Sequence, residues 1–70
     1  MQKYFTIFIN DEPFNCHSSM SLLDLIYYLN IDINNIIVQY DYEVIDKSQF
    51  DFLFFKNNDY IEIITIVGGG

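Results

Sequence analysis

Cys16 is the only cysteine in a chain of 70 residues, so no internal disulfide and no cysteine-cluster zinc site can staple the fold. A chain of this length is one small domain that buries only about 60% of the surface its unfolded form exposes. A deep cleft walled by two lobes is thereby excluded. The core has to come from apolar side chains alone. Hydrophobic residues make up 51% of the chain, enough for a core and too many for a disordered acidic tail.

The charge balance removes further classes. Ten acidic residues stand against three lysines and no arginine, giving a formal charge of −7. Phosphate recognition needs clustered cations, so neither nucleic acid nor an anionic membrane surface is an expected partner. The apolar runs fall far short of the roughly 20 residues of a membrane helix. No basic-then-apolar leader or Arg/Ser-rich transit segment is visible. A soluble protein of a reducing compartment is expected. Ile, Asn, Phe, Tyr and Lys supply half of the residues, the bias of an A/T-rich genome, which points to bacterial cytoplasm or plastid stroma.

Along the chain, residues 3–9 alternate as a strand, with Phe5, Ile7 and Ile9 on one face and Tyr4, Thr6 and Phe8 on the other. Asn10-Asp11-Glu12-Pro13 is turn chemistry, and residues 14–17 return as a second strand. Leu22, Leu25, Ile26 and Leu29 have the spacing of an amphipathic helix. Ser21 and Asp24 predict a capping box at its start, and Asn30 a left-handed stop at its end. Residues 36–40 and 43–45 read as strands joined by a tight turn at Asp41-Tyr42, followed by a polar loop over 46–49. The aromatic run 50–55 is ambiguous. Asn57-Asn58-Asp59 forms a turn with Asn58 at positive φ, and residues 60–67 carry the strongest strand signal.

Strand, strand, helix, strand, strand, strand is the order of an α+β domain of the β-grasp, or ubiquitin-like, type. A mixed sheet of four to five strands would pack on one main helix. The expected division is a domain over residues 1–67 and a flexible glycine tail over 68–70.

All three glycines of the chain are its last three residues, Gly68, Gly69 and Gly70. Without Cβ, such a segment can extend through a narrow slot into a partner's active site. The terminal carboxylate is then the reactive group. It is a poor electrophile until ATP converts it to an acyl adenylate, after which a sulfur or amine nucleophile can displace AMP.

The chain resembles the ThiS family of sulfur carriers in thiamine biosynthesis over essentially its whole length. Ile9-Asn10 is similar to that family's opening hairpin, and residues 21–26 to its helix start. Residues 38–45 resemble its third and fourth strands, and residues 57–63 its Asp-Gly-Asp-x-Ile/Val-Glu-Ile run. The ending Ile66-Val67-Gly68-Gly69-Gly70 resembles the family terminus. Two positions depart from the pattern. Ile45-Asp46-Lys47 replaces a Val-Pro-Arg segment, leaving Lys47 as the only cation there, and Asn58 replaces a glycine.

The resemblance implies a protein cosubstrate and not an enzyme, with no bound cofactor and no metal. A ThiF-like adenylyltransferase would adenylate Gly70 with ATP. A persulfide sulfur donor would then yield the thiocarboxylate, and thiazole synthase, ThiG, would take the sulfur. Gly68 and Gly69 would present the tail to these partners. The alternatives are the small subunit of molybdopterin synthase (MoaD-like), a ubiquitin-like protein modifier joined through Gly70, and an interaction module with an inert tail.

Other residues read more plainly. Cys16 and His17 are adjacent on a strand and face opposite sides, so they do not form a nucleophilic pair. Cys16 is a small core residue and His17 a solvated one. The acids are scattered, Asp11 and Glu12 in one turn, Asp24 on the helix and Asp59 in another turn, and serve solubility. Tyr4, Phe8 and Tyr60 are candidates for a docking patch beside the tail, unless the segment 50–55 covers them.

Overall fold

The structure, a computed structural model, describes residues 3–66. Five strands and one helix follow in the order β1 (Tyr4–Ile9), β2 (Glu12–His17), α1 (Leu22–Tyr28), β3 (Ile36–Tyr40), β4 (Glu43–Ile45) and β5 (Tyr60–Thr65). The strands form one sheet in the order β2-β1-β5-β3-β4. β1 and β5 run parallel at its centre, with Phe8 beside Tyr60 and Ile9 beside Ile61, and all other neighbours are antiparallel. This is the expected β-grasp arrangement.

Alternation along each strand sends one set of side chains toward α1. Ile7, Cys16, Ile36, Val38, Ile61 and Ile63 meet Leu22, Leu25 and Ile26 of the helix in a single buried core. Each fully buried aliphatic side chain of this kind stabilises the fold by about 1.5–3 kcal/mol. The helix begins with the expected capping box. Ser21 Oγ accepts from the Asp24 N–H at 3.1 Å, and the Ser21 N–H donates to Asp24 Oδ2 at 3.0 Å.

The ambiguous aromatic run is a loop that plugs the core. Phe50 and Phe55 are buried, while Phe52 and Phe54 face outward. The loop also completes the helix start. Carbonyls of Leu53 and Phe50 accept from the N–H groups of Leu22 and Leu23 at 2.8 and 2.9 Å. Those are first-turn donors with no partner inside the helix. Such a role needs contacts some 30 residues apart in sequence, which no periodicity reveals.

No glycine is available inside the described chain, so asparagine, aspartate and tyrosine take every left-handed position: Asn10, Asp11, Asn30, Asp41, Tyr42 and Asn58. Asn10-Asp11 and Asp41-Tyr42 each have positive φ at both residues, as two-residue hairpin turns of the mirror-image type require. The first turn is therefore tighter than the sequence suggests. Glu12 and Pro13 already belong to β2, where Pro13 is tolerated because β2 is an edge strand. The polar segment after β4 winds into a short 3₁₀ turn over Lys47–Gln49, capped by Asp46. A second one forms over Ile33–Asn35 ahead of β3.

Candidate functional site

β5 occupies the centre of the sheet, gripped by β1 and β3. Its last pair is Thr65 beside Ile36, and the Ile66 N–H donates to the Asn35 carbonyl at 2.7 Å. Four residues follow in the sequence, Val67, Gly68, Gly69 and Gly70. These lie outside the described residues, as do the expected end of the last strand at Val67 and the expected tail. The described chain therefore ends just past a central strand, with Ile66 hydrogen-bonded to Asn35.

The sheet face opposite the helix carries an apolar group at that same end. Ile37 and Ile64 are directly paired across β3 and β5, and both are exposed, as is Ile66 just past the strand. The sequence reading missed them. Their signal was the break of alternation at Ile63-Ile64, where two isoleucines in a row must place one outside.

The aromatic patch expected beside the tail stands at the opposite end of β5 from Ile66. Phe8 and Tyr60 do stack, with ring centroids 4.8 Å apart, but Tyr60 opens β5 whereas Ile66 follows its end. A strand of six residues separates the two ends by about 20 Å. Tyr4 stands apart, edge-on to His17. The loop over 50–55 packs on the helix side, so it does not cover these rings.

Charge is gathered where the sequence suggested scatter. Turns at the ends of β1 and β3 and the start of β5 bring Asp11, Asp41, Asp59 and Glu62 around one open depression of about 580 Å³, with Lys56 also on its lining. Asp59 is occupied: its Oδ2 accepts from the Tyr40 hydroxyl at 2.6 Å and the Lys56 N–H at 2.7 Å. Burial, with that hydrogen bond and the Asp59 charge, pushes Tyr40 up to about 12. Among the described residues no group of His, Cys, Asp and Glu is placed to hold a metal ion.

Cys16 is fully buried, and desolvation raises its thiol above the usual range, which makes it an inert packing group. His17 is only half-buried and is held locally. Its Nδ1 accepts the Ser19 N–H at 3.1 Å and lies 2.7 Å from Ser19 Oγ. Cys16 and His17 form no pair. No helix among the described residues is long and apolar enough to cross a membrane.

Comparison with known proteins agrees with this architecture. The ThiS family model matches residues 7–70. The chain is 37% identical over 70 residues to the uncharacterised protein Ycf40 of the red alga Porphyra purpurea, covering all of this chain and 99% of that one. It is 34% identical over 65 residues to Ycf40 of the diatom Trieres chinensis, covering 93% and 89% of the two chains. The crystal structure of the thiamine biosynthesis protein ThiS from Geobacter metallireducens superposes with a TM-score of 0.78, covering 94% of this chain and 100% of that one at 22% identity. The chain belongs to the ThiS family of ubiquitin-like sulfur carriers.

Proposed function

We propose that this protein carries sulfur on its C-terminal carboxyl for assembly of the thiazole ring of thiamine. The observation that carries the reading is the family match running through Gly70, on a chain whose central strand ends five residues short of that glycine. Beyond Ile66 the remaining residues can span at most about 14 Å, enough to enter a partner's slot.

A ThiF-like adenylyltransferase joins the Gly70 carboxylate to AMP from ATP, releasing pyrophosphate. A persulfide sulfur attacks the acyl carbon and expels AMP. A thiol then cleaves the resulting S–S bond and leaves the thiocarboxylate. Thiazole synthase takes this sulfur, which is a better nucleophile than the oxygen it replaced. Gly68 and Gly69 have no side chain to obstruct the slot. The exposed Ile37, Ile64 and Ile66 at the end of β5 suit an apolar contact with these enzymes. An A/T-rich residue bias and likeness to Ycf40 proteins of algae favour the plastid stroma as the place of work.

Intact-mass measurement after incubation with an adenylyltransferase of this class, ATP and a persulfide donor tests the reading. A mass gain equal to sulfur for oxygen on the C-terminal peptide is expected. A ladder of lysine conjugates would mean a protein modifier instead, and an unchanged mass would mean an inert terminus.

A further inference from the structure

The open edge of the sheet carries a self-complementary pattern. β2 has β1 on one side and no strand on the other among the described residues. Backbone groups of Thr6 and Phe8 point away from β2: the Thr6 carbonyl accepts from the Asn58 N–H, and the Phe8 N–H donates to the Asp59 carbonyl. Ladder geometry therefore turns the groups of their partners, Asn15 and Pro13, outward, and those of His17 with them. The outward set is unequal. Asn15 offers both a donor and an acceptor. Pro13 offers only its carbonyl, having no N–H. His17 offers only its N–H, because its carbonyl already accepts from the Met20 N–H at 3.0 Å.

From this pattern we infer that β2 pairs antiparallel with β2 of a second copy of the chain, across a two-fold axis at Asn15. In that register Asn15 exchanges two hydrogen bonds with the partner's Asn15. Each His17 N–H meets the partner's Pro13 carbonyl. The donor that proline lacks falls opposite the one acceptor already occupied, so no group on the edge is left without a partner. Shifting the register by two residues moves Asn15 opposite Pro13 or His17. Its carbonyl then faces a residue without an N–H, or its N–H faces a bonded carbonyl.

Charge allows the same register. Asp11 and Glu12 fall opposite the partner's Ser19 and Ser18, so no like charges meet directly. On the helix side, Phe14 and Tyr28 stand edge-to-face along the open edge with Met20 in the same depression, apolar surface that a second strand would cover. The result is a ten-stranded continuous sheet, twice the five of one chain. β1 still separates the new interface from β5, so the pairing does not depend on the sulfur-carrier reading.

Sedimentation equilibrium of the full chain across a concentration series tests the inference. A monomer–dimer equilibrium is expected. It should strengthen with added salt, because two chains of charge −7 repel. Asn15→Pro removes a donor that β1 does not use, and should weaken the dimer about tenfold to a hundredfold with its circular dichroism spectrum retained. Should that variant misfold, amide exchange of the wild-type chain decides the matter: the Asn15 and His17 N–H groups gain protection as concentration rises. A wild-type chain that stays monomeric up to about 1 mM in high salt would overturn the pairing. So would a dimer in which those two amides exchange as fast as in the monomer.

Discussion

The side chain of Asn10 reads the backbone of Ile63 as a strand would. Its Nδ2 donates to the Ile63 carbonyl at 3.1 Å, and its Oδ1 accepts the Ile63 N–H at 2.8 Å. β1 has turned away into its hairpin by this point, so the amide extends the ladder along β5 where the main chain no longer can. The central strand is thereby held on both sides nearly to its end. Asn10→Gly keeps the left-handed backbone and loses both bonds. A loss of about 1–3 kcal/mol in urea unfolding is expected, since a backbone pair beside the core is left unsatisfied. An unchanged midpoint would show that water replaces the amide without penalty.

Tyr40 and Asp59 form another long-range bond, between two side chains. Folding holds Tyr40 at about 12 against 10.0 for the free group, so the unfolded chain loses this proton first as pH rises. The sign follows: stability from this source is complete below pH 10, and declines through pH 12. In Tyr40→Phe that decline should vanish. The variant should also be about 1 kcal/mol less stable at neutral pH. Chemical denaturation of both proteins between these pH values checks the pair.

Tyr42 is an aromatic residue at φ 66 with 97% of its surface exposed. The left-handed region is costly for a residue with Cβ, by about 1–2 kcal/mol, and Tyr42 packs against little that offsets it. Tyr42→Gly should therefore stabilise the domain by roughly 1 kcal/mol, after allowance for the added entropy of the unfolded chain. A lower thermal midpoint in this variant would mean that the ring makes contacts worth more than the strain.

Removal of Gly70 separates chemistry from folding. Unfolding free energy should be unaffected, because the buried core of the described residues is built from Ile7 to Ile63. Sulfur loading, read by intact mass, should disappear. Rescue of a thiamine auxotroph by the shortened chain at full strength is the result that would refute the carrier reading.

The acids gathered at Asp11, Asp41, Asp59 and Glu62 bear on encounter with a basic partner. Association with the adenylating enzyme should slow as salt rises, the reverse of the trend expected for pairing through β2. Stopped-flow mixing over a range of ionic strength reads this directly; a flat response would remove electrostatic steering.

Local chemistry decided much of this protein without reference to any tertiary contact. Ser21 and Asp24 lie three residues apart, so their capping box was legible in the sequence. The same holds for the left-handed asparagines at 30 and 58 and for the helical spacing of Leu22, Leu25 and Ile26. The proposed reactive arm rests on sequence chemistry too, the run Gly68-Gly69-Gly70, which lies outside the described residues. Tertiary structure alone decided the rest: burial of Phe50 and Phe55, the bonds of Asn10 to Ile63 and Tyr40 to Asp59, the gathering of distant acids, and the pairing of Ile37 with Ile64. Each depends on which strands become neighbours. That order is set by the packing of one core from distant segments, a property of the whole chain that no short window contains.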